Sequence, residues 1–155
     1  MRTIKFKGKC ISPKYKGKVA CGSLLTFPDG TALIFEHDHD LVFNYYSVDP
    51  DTVCQFTGYF DKNGKEIYEG DVLKGNATVY QEHVGDSYDV YSFIKFGKEL
   101  ASFLIQDLFL SIDEPRGMTN PHGHTFTQRG MEYYEVIGSI HDKEWQEKLG
   151  LKDEQ

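Results

Sequence analysis

The stretch that decides the fold runs from Pro50 to Gly75, PDTVCQFTGYFDKNGKEIYEGDVLKG. Its halves, CQFTGYF and KEIYEGDVLKG, are rich in aromatic and β-branched residues and flank Asp61-Lys62-Asn63-Gly64. Asn and Gly tolerate the positive φ angles of a tight reversal, so the segment predicts a β-hairpin. Gly70-Asp71 predicts a second reversal leading into VLK. Asp61 and Asp71 are then placed to accept backbone N–H bonds at the two reversals, while Ile67 and Tyr68 supply burial. A calcium loop is the competing reading, because Asp61 and Asn63 occupy its first and third positions. It fails at Glu66, where that loop needs Gly, and at Val72, where a bidentate Glu should close the site.

Working towards the N-terminus, TALIFEH and DLVFNYYSV read as strands, with a turn at Pro28-Asp29-Gly30 and a close to the block at Val48-Asp49-Pro50-Asp51. Further up, Ile4, Phe6, Gly8 and Cys10 alternate with Thr3, Lys5, Lys7 and Lys9. That is the two-residue period of a half-buried strand. After ISP at 11–13, Lys14, Lys16 and Lys18 alternate with Tyr15, Gly17, Val19 and Cys21. The two segments predict a hairpin with six lysines on its solvent side and Phe6 and Tyr15 in the core.

Towards the C-terminus, ATVYQEHV and SYDVYSFIKF continue as strands, and ELASFLIQDLFLSI at 99–112 is compatible with either helix or strand. Apolar periodicity disappears from Glu114 to Gly130, which reads as a long loop. YYEVIGSI predicts a strand and HDKEWQEKLGL a short helix starting near His141, with Asp142 and Glu144 suited to its N-terminal end. The whole is one domain over 1–155 with sub-blocks 1–50 and 51–155. Aromatics at 14% and 15 Gly in 155 residues suit short strands joined by turns, and the fold class is all-β and antiparallel with a short C-terminal helix.

Charge is unevenly placed. Residues 1–28 hold seven basic side chains and no acidic one, whereas the other 127 hold ten basic against all 24 acidic. Most of the surface should therefore repel nucleic acid, and the lysines of the first segment, Lys5, Lys7, Lys14 and Lys16 among them, admit weak nucleic-acid contact at most. Cys10, Cys21 and Cys54 have no C-x-x-C spacing and read as reduced thiols. No apolar run is long enough to span a bilayer and no signal peptide is recognisable, so a cytoplasmic protein without membrane contact is expected.

His37-Asp38-His39 and His122-Gly123-His124 are the sequence's most chemical-looking strings, because two H-x-H pairs are able to complete a zinc site. Neither has a third and fourth ligand in register, and the cupin spacing is not met. No metal or other cofactor is expected. Nucleophile elbow, P-loop and dinucleotide fingerprints are absent.

The 50–75 stretch resembles the central motif of the YopX family, which phages, prophages and related mobile elements encode. IKFKGK near the N-terminus and YEVIGSIHD at 134–142 resemble that family's opening and closing strings. The resemblance implies an all-β fold with an SH3-like barrel element near the motif, and no established enzymatic activity. Thr57, Gly58, Asp61, Gly64, Ile67, Tyr68, Gly70 and Asp71 are expected to build the fold rather than to catalyse. Glu69, beside a glycine turn, is the motif residue expected to be exposed for partner contact. The leading expectation is a non-catalytic binding or assembly module with an unknown protein partner, homo-oligomerisation being compatible. A nucleic-acid accessory protein using the lysine face is the alternative, and a metal-dependent hydrolase using the H-x-H pairs a distant third.

Overall fold

The computed structural model describes residues 3–37, 43–81, 84–98, 100–108, 125 and 127–149. Within these the chain is mainly antiparallel β-structure, and it divides into two compact units, Met1–Gly58 and Tyr59–Gln155.

The first unit contains β1 (Phe6–Lys9), β2 (Val19–Thr26), β3 (Ala32–His37), β4 (Phe43–Val48) and most of β5 (Cys54–Phe60), in the sheet order β4-β3-β2-β1-β5. The pairings β1–β2, β1–β5, β2–β3 and β3–β4 are antiparallel. Cys10, Ala20, Ala32, Ile34, Tyr46 and Val48 form its core, with Phe6, Tyr15 and Leu24 packed against them. Opposed residues of antiparallel strands share a face. The other face therefore carries Lys5, Lys7 and Lys9 on and before β1, Val19, Cys21, Ser23 and Leu25 on β2, Leu33 and Phe35 on β3, and Tyr45 and Ser47 on β4.

The lysine hairpin needs correcting. β1 and β2 do pair, but Pro13–Tyr15 is a 3-10 turn, closed by Tyr15 N–H to Ser12 O and Lys18 N–H to Tyr15 O, both at 2.9 Å. Pro13 has no N–H for a ladder and its ring fixes φ, so the strand starts only at Val19. Lys14 and Lys16 therefore sit on the connection, not on a strand face. Starting the period five residues late also inverts it: Ala20 is fully buried, while Val19, expected inside, is 45% exposed. Ile4, also expected inside, is exposed.

The second unit contains the end of β5, β6 (Glu66–Tyr68), β7 (Asp71–Gln81), β8 (Val84–Gly97), β9 (Ser102–Leu108), α1 (Gln128–Met131), β10 (Glu135–Ser139) and α2 (Lys143–Leu149). β10, β7, β8 and β9 form one sheet in that order. Ile67, Leu73, Ile94, Phe103, Ile105, Met131 and Val136 make the core. The 99–112 segment resolves as strand where it is described, because Phe103 and Ile105 enter the core and β9 pairs in register with β8 over its whole length. Within the stretch read as loop, Gln128–Met131 is a single helical turn. Thr127 caps it by accepting from Gly130 N–H at 3.3 Å, and the Gln128 amide clasps both backbone groups of Phe60, at 3.1 and 3.0 Å.

Both sheets are open among the described residues, so no SH3-like barrel is closed. The nearest approach is one isolated bridge, Cys10 to Val48, which ties the end of β4 to the chain just after β1.

α2 begins two residues after His141. Asp142 organises its start, its carboxylate accepting from Ser139 N–H at 3.0 Å and its carbonyl from Trp145 N–H at 2.9 Å. Trp145 is buried on β10 at Gly138, where an added Cβ would lie 2.3 Å from the indole nitrogen. Gly138→Ala should therefore push the helix off the sheet, destabilising by about 1 to 3 kcal/mol. Trp145 is the chain's only tryptophan. Its fluorescence should shift to the red in this variant, and an unchanged spectrum and melt would refute the packing argument.

Candidate site at residues 57 to 71

The motif is assembled around two chain reversals. At the first, Gly64 N–H donates to Asp61 O at 3.0 Å and Asp61 N–H to Lys65 O at 2.8 Å. Gly64 takes φ +77°, while Asn63 keeps a negative φ, so glycine alone supplies the left-handed residue. The Asp61 side chain completes the turn from inside. Oδ1 accepts from Asn63 N–H at 2.8 Å and Lys65 N–H at 2.9 Å, and Oδ2 reaches Val136 N–H of β10 at 3.0 Å. One carboxylate thus shapes the hairpin and fastens it to a strand 75 residues away in sequence.

Burial works to raise the Asp61 pKa, but the three N–H donors, helped by the Lys65 charge, outweigh it and hold the carboxyl below its ordinary value. Lys62 pairs with Glu135 at 2.7 Å beside the same contact, and Lys62 N–H donates to Tyr134 O at 2.9 Å.

At the second reversal Asp71 is almost fully buried and its Oδ2 accepts from Tyr68 N–H at 2.8 Å. Gly70 has φ +74°, its N–H donates to Ile94 O, and its carbonyl accepts from Ile140 N–H. The reversal is therefore anchored to β8 on one side and to the end of β10 on the other. Tyr68 is buried, with its hydroxyl on Glu66 Oε2 at 2.7 Å, and Ile67 lies in the core of the second unit. In the first unit's part of β5, Thr57 is buried and Gly58 exposed at φ +91°. Glu69 is half-buried rather than exposed.

This arrangement has little chemistry to offer a substrate. A carboxylate that already accepts three backbone N–H bonds and is held ionised is a poor general acid, and binding a cation there would break the turn. The signal sequence reasoning missed is Val136: nothing local shows that Asp61 reaches across to β10. The DKNG string announces a turn whether or not a distant strand is fastened to it.

Among the described residues no group of three or more His, Cys, Asp and Glu side chains is gathered at one place. The side chain of His37, and His39, His122 and His124 entirely, lie outside the described residues. None of the three cysteines is in a disulfide, and burial pushes the Cys10 thiol above its ordinary value. No described helix is long and apolar enough to cross a membrane.

The family model described as YopX protein matches residues 28–144. The chain belongs to the YopX family. The match contains both reversals and β10 of this YopX chain, and begins after the lysine-rich β1. The fold is also similar to the crystal structure of protein EF1440 from Enterococcus faecalis, at 19% identity over 96% of this chain and 99% of that one, with a TM-score of 0.45. No match to a curated protein was found.

Gly64→Val should destabilise by about 1 to 3 kcal/mol, since a β-branched side chain is strained at positive φ even though no atom lies near the added Cβ. A urea melt checks it, and a midpoint equal to the parent's would rule out strain at this turn.

Proposed function

We propose that this YopX chain is a non-catalytic binding or assembly module, of phage or other mobile-element origin as its family suggests, acting in the cytoplasm. The observation that carries the reading is the engagement of the motif's first acid: Asp61 is committed to Asn63, Lys65 and Val136 N–H groups and so to building the fold. Three cysteines outside any disulfide suit a reducing compartment. The test is affinity capture of the tagged full chain from its own host after chemical cross-linking. A component recovered in stoichiometric amount, by the parent and by a folded Asp61→Asn variant alike, is the expected result. Turnover of any substrate that disappears in Asp61→Asn while the melt is little changed would sink the reading.

A further inference from the structure

We infer that the free edge of β4 is a self-association site, where a second copy of this chain adds its own β4 in antiparallel register. The inference rests on the assembly-module reading and names its partner. β4 is the last strand of its sheet, and its C-terminal end is covered. There Ser47 O accepts from Ile11 N–H at 3.0 Å and Asp49 N–H donates to Lys9 O at 2.9 Å, on either side of the Cys10–Val48 bridge. Those two bonds fix which groups face outward. Backbone direction alternates along a strand, and β4 pairs with β3 from Ala32–Val48 to His37–Phe43 without a register shift. The N–H and C=O of Phe43 and Tyr45 therefore point out of the sheet, as Ser47 O does, while those of Asn44 and Tyr46 point to β3. Among the described residues none hydrogen-bonds to Tyr45 across that edge.

An edge of this kind is ordinarily blunted by a charge, a proline or a bulge. β10, an edge of the other sheet, has such guards: a register shift between Val136 and Gly138, the charge of Glu135, and the Asp61 carboxylate on Val136 N–H. β4, FNYYSV, has none of them. Instead it shows solvent an aromatic ring, Tyr45, 66% exposed and 6.0 Å from the Phe35 ring on the same face. Because Ser47 is already engaged, self-pairing is confined to residues 43–45. The register that uses every outward group there has its two-fold axis at Asn44. Tyr45 of each copy then exchanges both backbone bonds with Phe43 of the other, and the two Asn44 residues face each other as the closely spaced, non-hydrogen-bonded pair. Charge favours copies meeting through this unit. Met1–Gly58 holds seven basic and six acidic residues, whereas Tyr59–Gln155 holds ten and eighteen, so copies repel through the second unit and not through the first.

The test is sedimentation velocity of the full chain from about 1 μM to about 1 mM, the span in which an interface this small dissociates. The parent should pass from the mass of one chain to that of two. Asn44 is exposed, and Glu36 opposite it on β3 is already held by Lys18 Nζ at 2.9 Å, so a charge introduced at 44 acts chiefly across the two-fold axis. Asn44→Lys and Asn44→Asp should each stay monomeric, because like charges directly opposite repel. An equimolar mixture of the two should recover the dimer, which a misfolded variant does not do. A parent monomeric throughout, variants that dimerise as the parent does, or a mixture that stays monomeric would each overturn the inference. So would a monomeric chain cross-linked at Tyr45 to a different protein, which would give the edge to a foreign strand and leave the assembly-module reading intact. That reading fails separately, through turnover dependent on Asp61.

Discussion

Asp61→Ala is expected to lower stability by about 3 to 4 kcal/mol, the range for removing one partner of a buried, charged hydrogen-bonding group. The three N–H donors do not contribute equally. Those of Asn63 and Lys65 belong to exposed turn residues and regain water when the carboxylate is lost. Val136 is buried, so its N–H loses this acceptor where water does not readily replace it, and it accounts for most of the cost. Asp61→Asn, which retains one acceptor oxygen, should cost less. The pH dependence has a definite sign. Because the folded-state pKa is lowered, the contribution is complete above the ordinary Asp value of about 3.9 and is lost as pH falls through the lowered one, where the unfolded chain binds its proton first. Acid melts should show a smaller pH dependence in Asp61→Asn than in the parent. Equal dependence in both would assign the acid sensitivity elsewhere.

The Asp61 contact also shows how far the sequence can be read. Strands with a clear two-residue period, from ALIFEH to the alternation at 6–10, are legible because each positions its own inward face. Both reversals of the motif are legible because Gly64 and Gly70 carry conformations that other residues resist. What fails is whatever depends on a break in the period or on a distant partner. The alternation of lysines from 14 to 18 has the same spacing as a strand, yet Pro13 makes it a turn and the true strand starts out of phase. α1 is too short to have a helical period at all, and its reason for existing, the Gln128 amide on Phe60, lies 68 residues away. The glycine of YEVIGSI reads locally as a weak point in a strand. Its purpose, room for Trp145, appears only once α2 has folded back.

Tyr68→Ala should be the most damaging single change in the motif, at about 3 to 5 kcal/mol by analogy with other buried aromatics. Tyr68 is 4% exposed, so the substitution removes a ring from a site that little water can enter. The backbone bond from Tyr68 N–H to Asp71 is unaffected by the change, so the reversal keeps its anchor and the loss measures packing. Tyr68→Phe separates the remaining term. It removes only the hydroxyl that donates to Glu66 and should cost about 1 kcal/mol. Set against a typical domain stability of about 5 to 15 kcal/mol, the alanine variant should unfold at a much lower urea concentration and the phenylalanine variant close to the parent. If instead the two variants melt together, the hydroxyl rather than the ring holds β6 in place. If both melt like the parent while a captured partner is lost, Tyr68 belongs to a binding surface, and the account of this motif as scaffold fails at its centre.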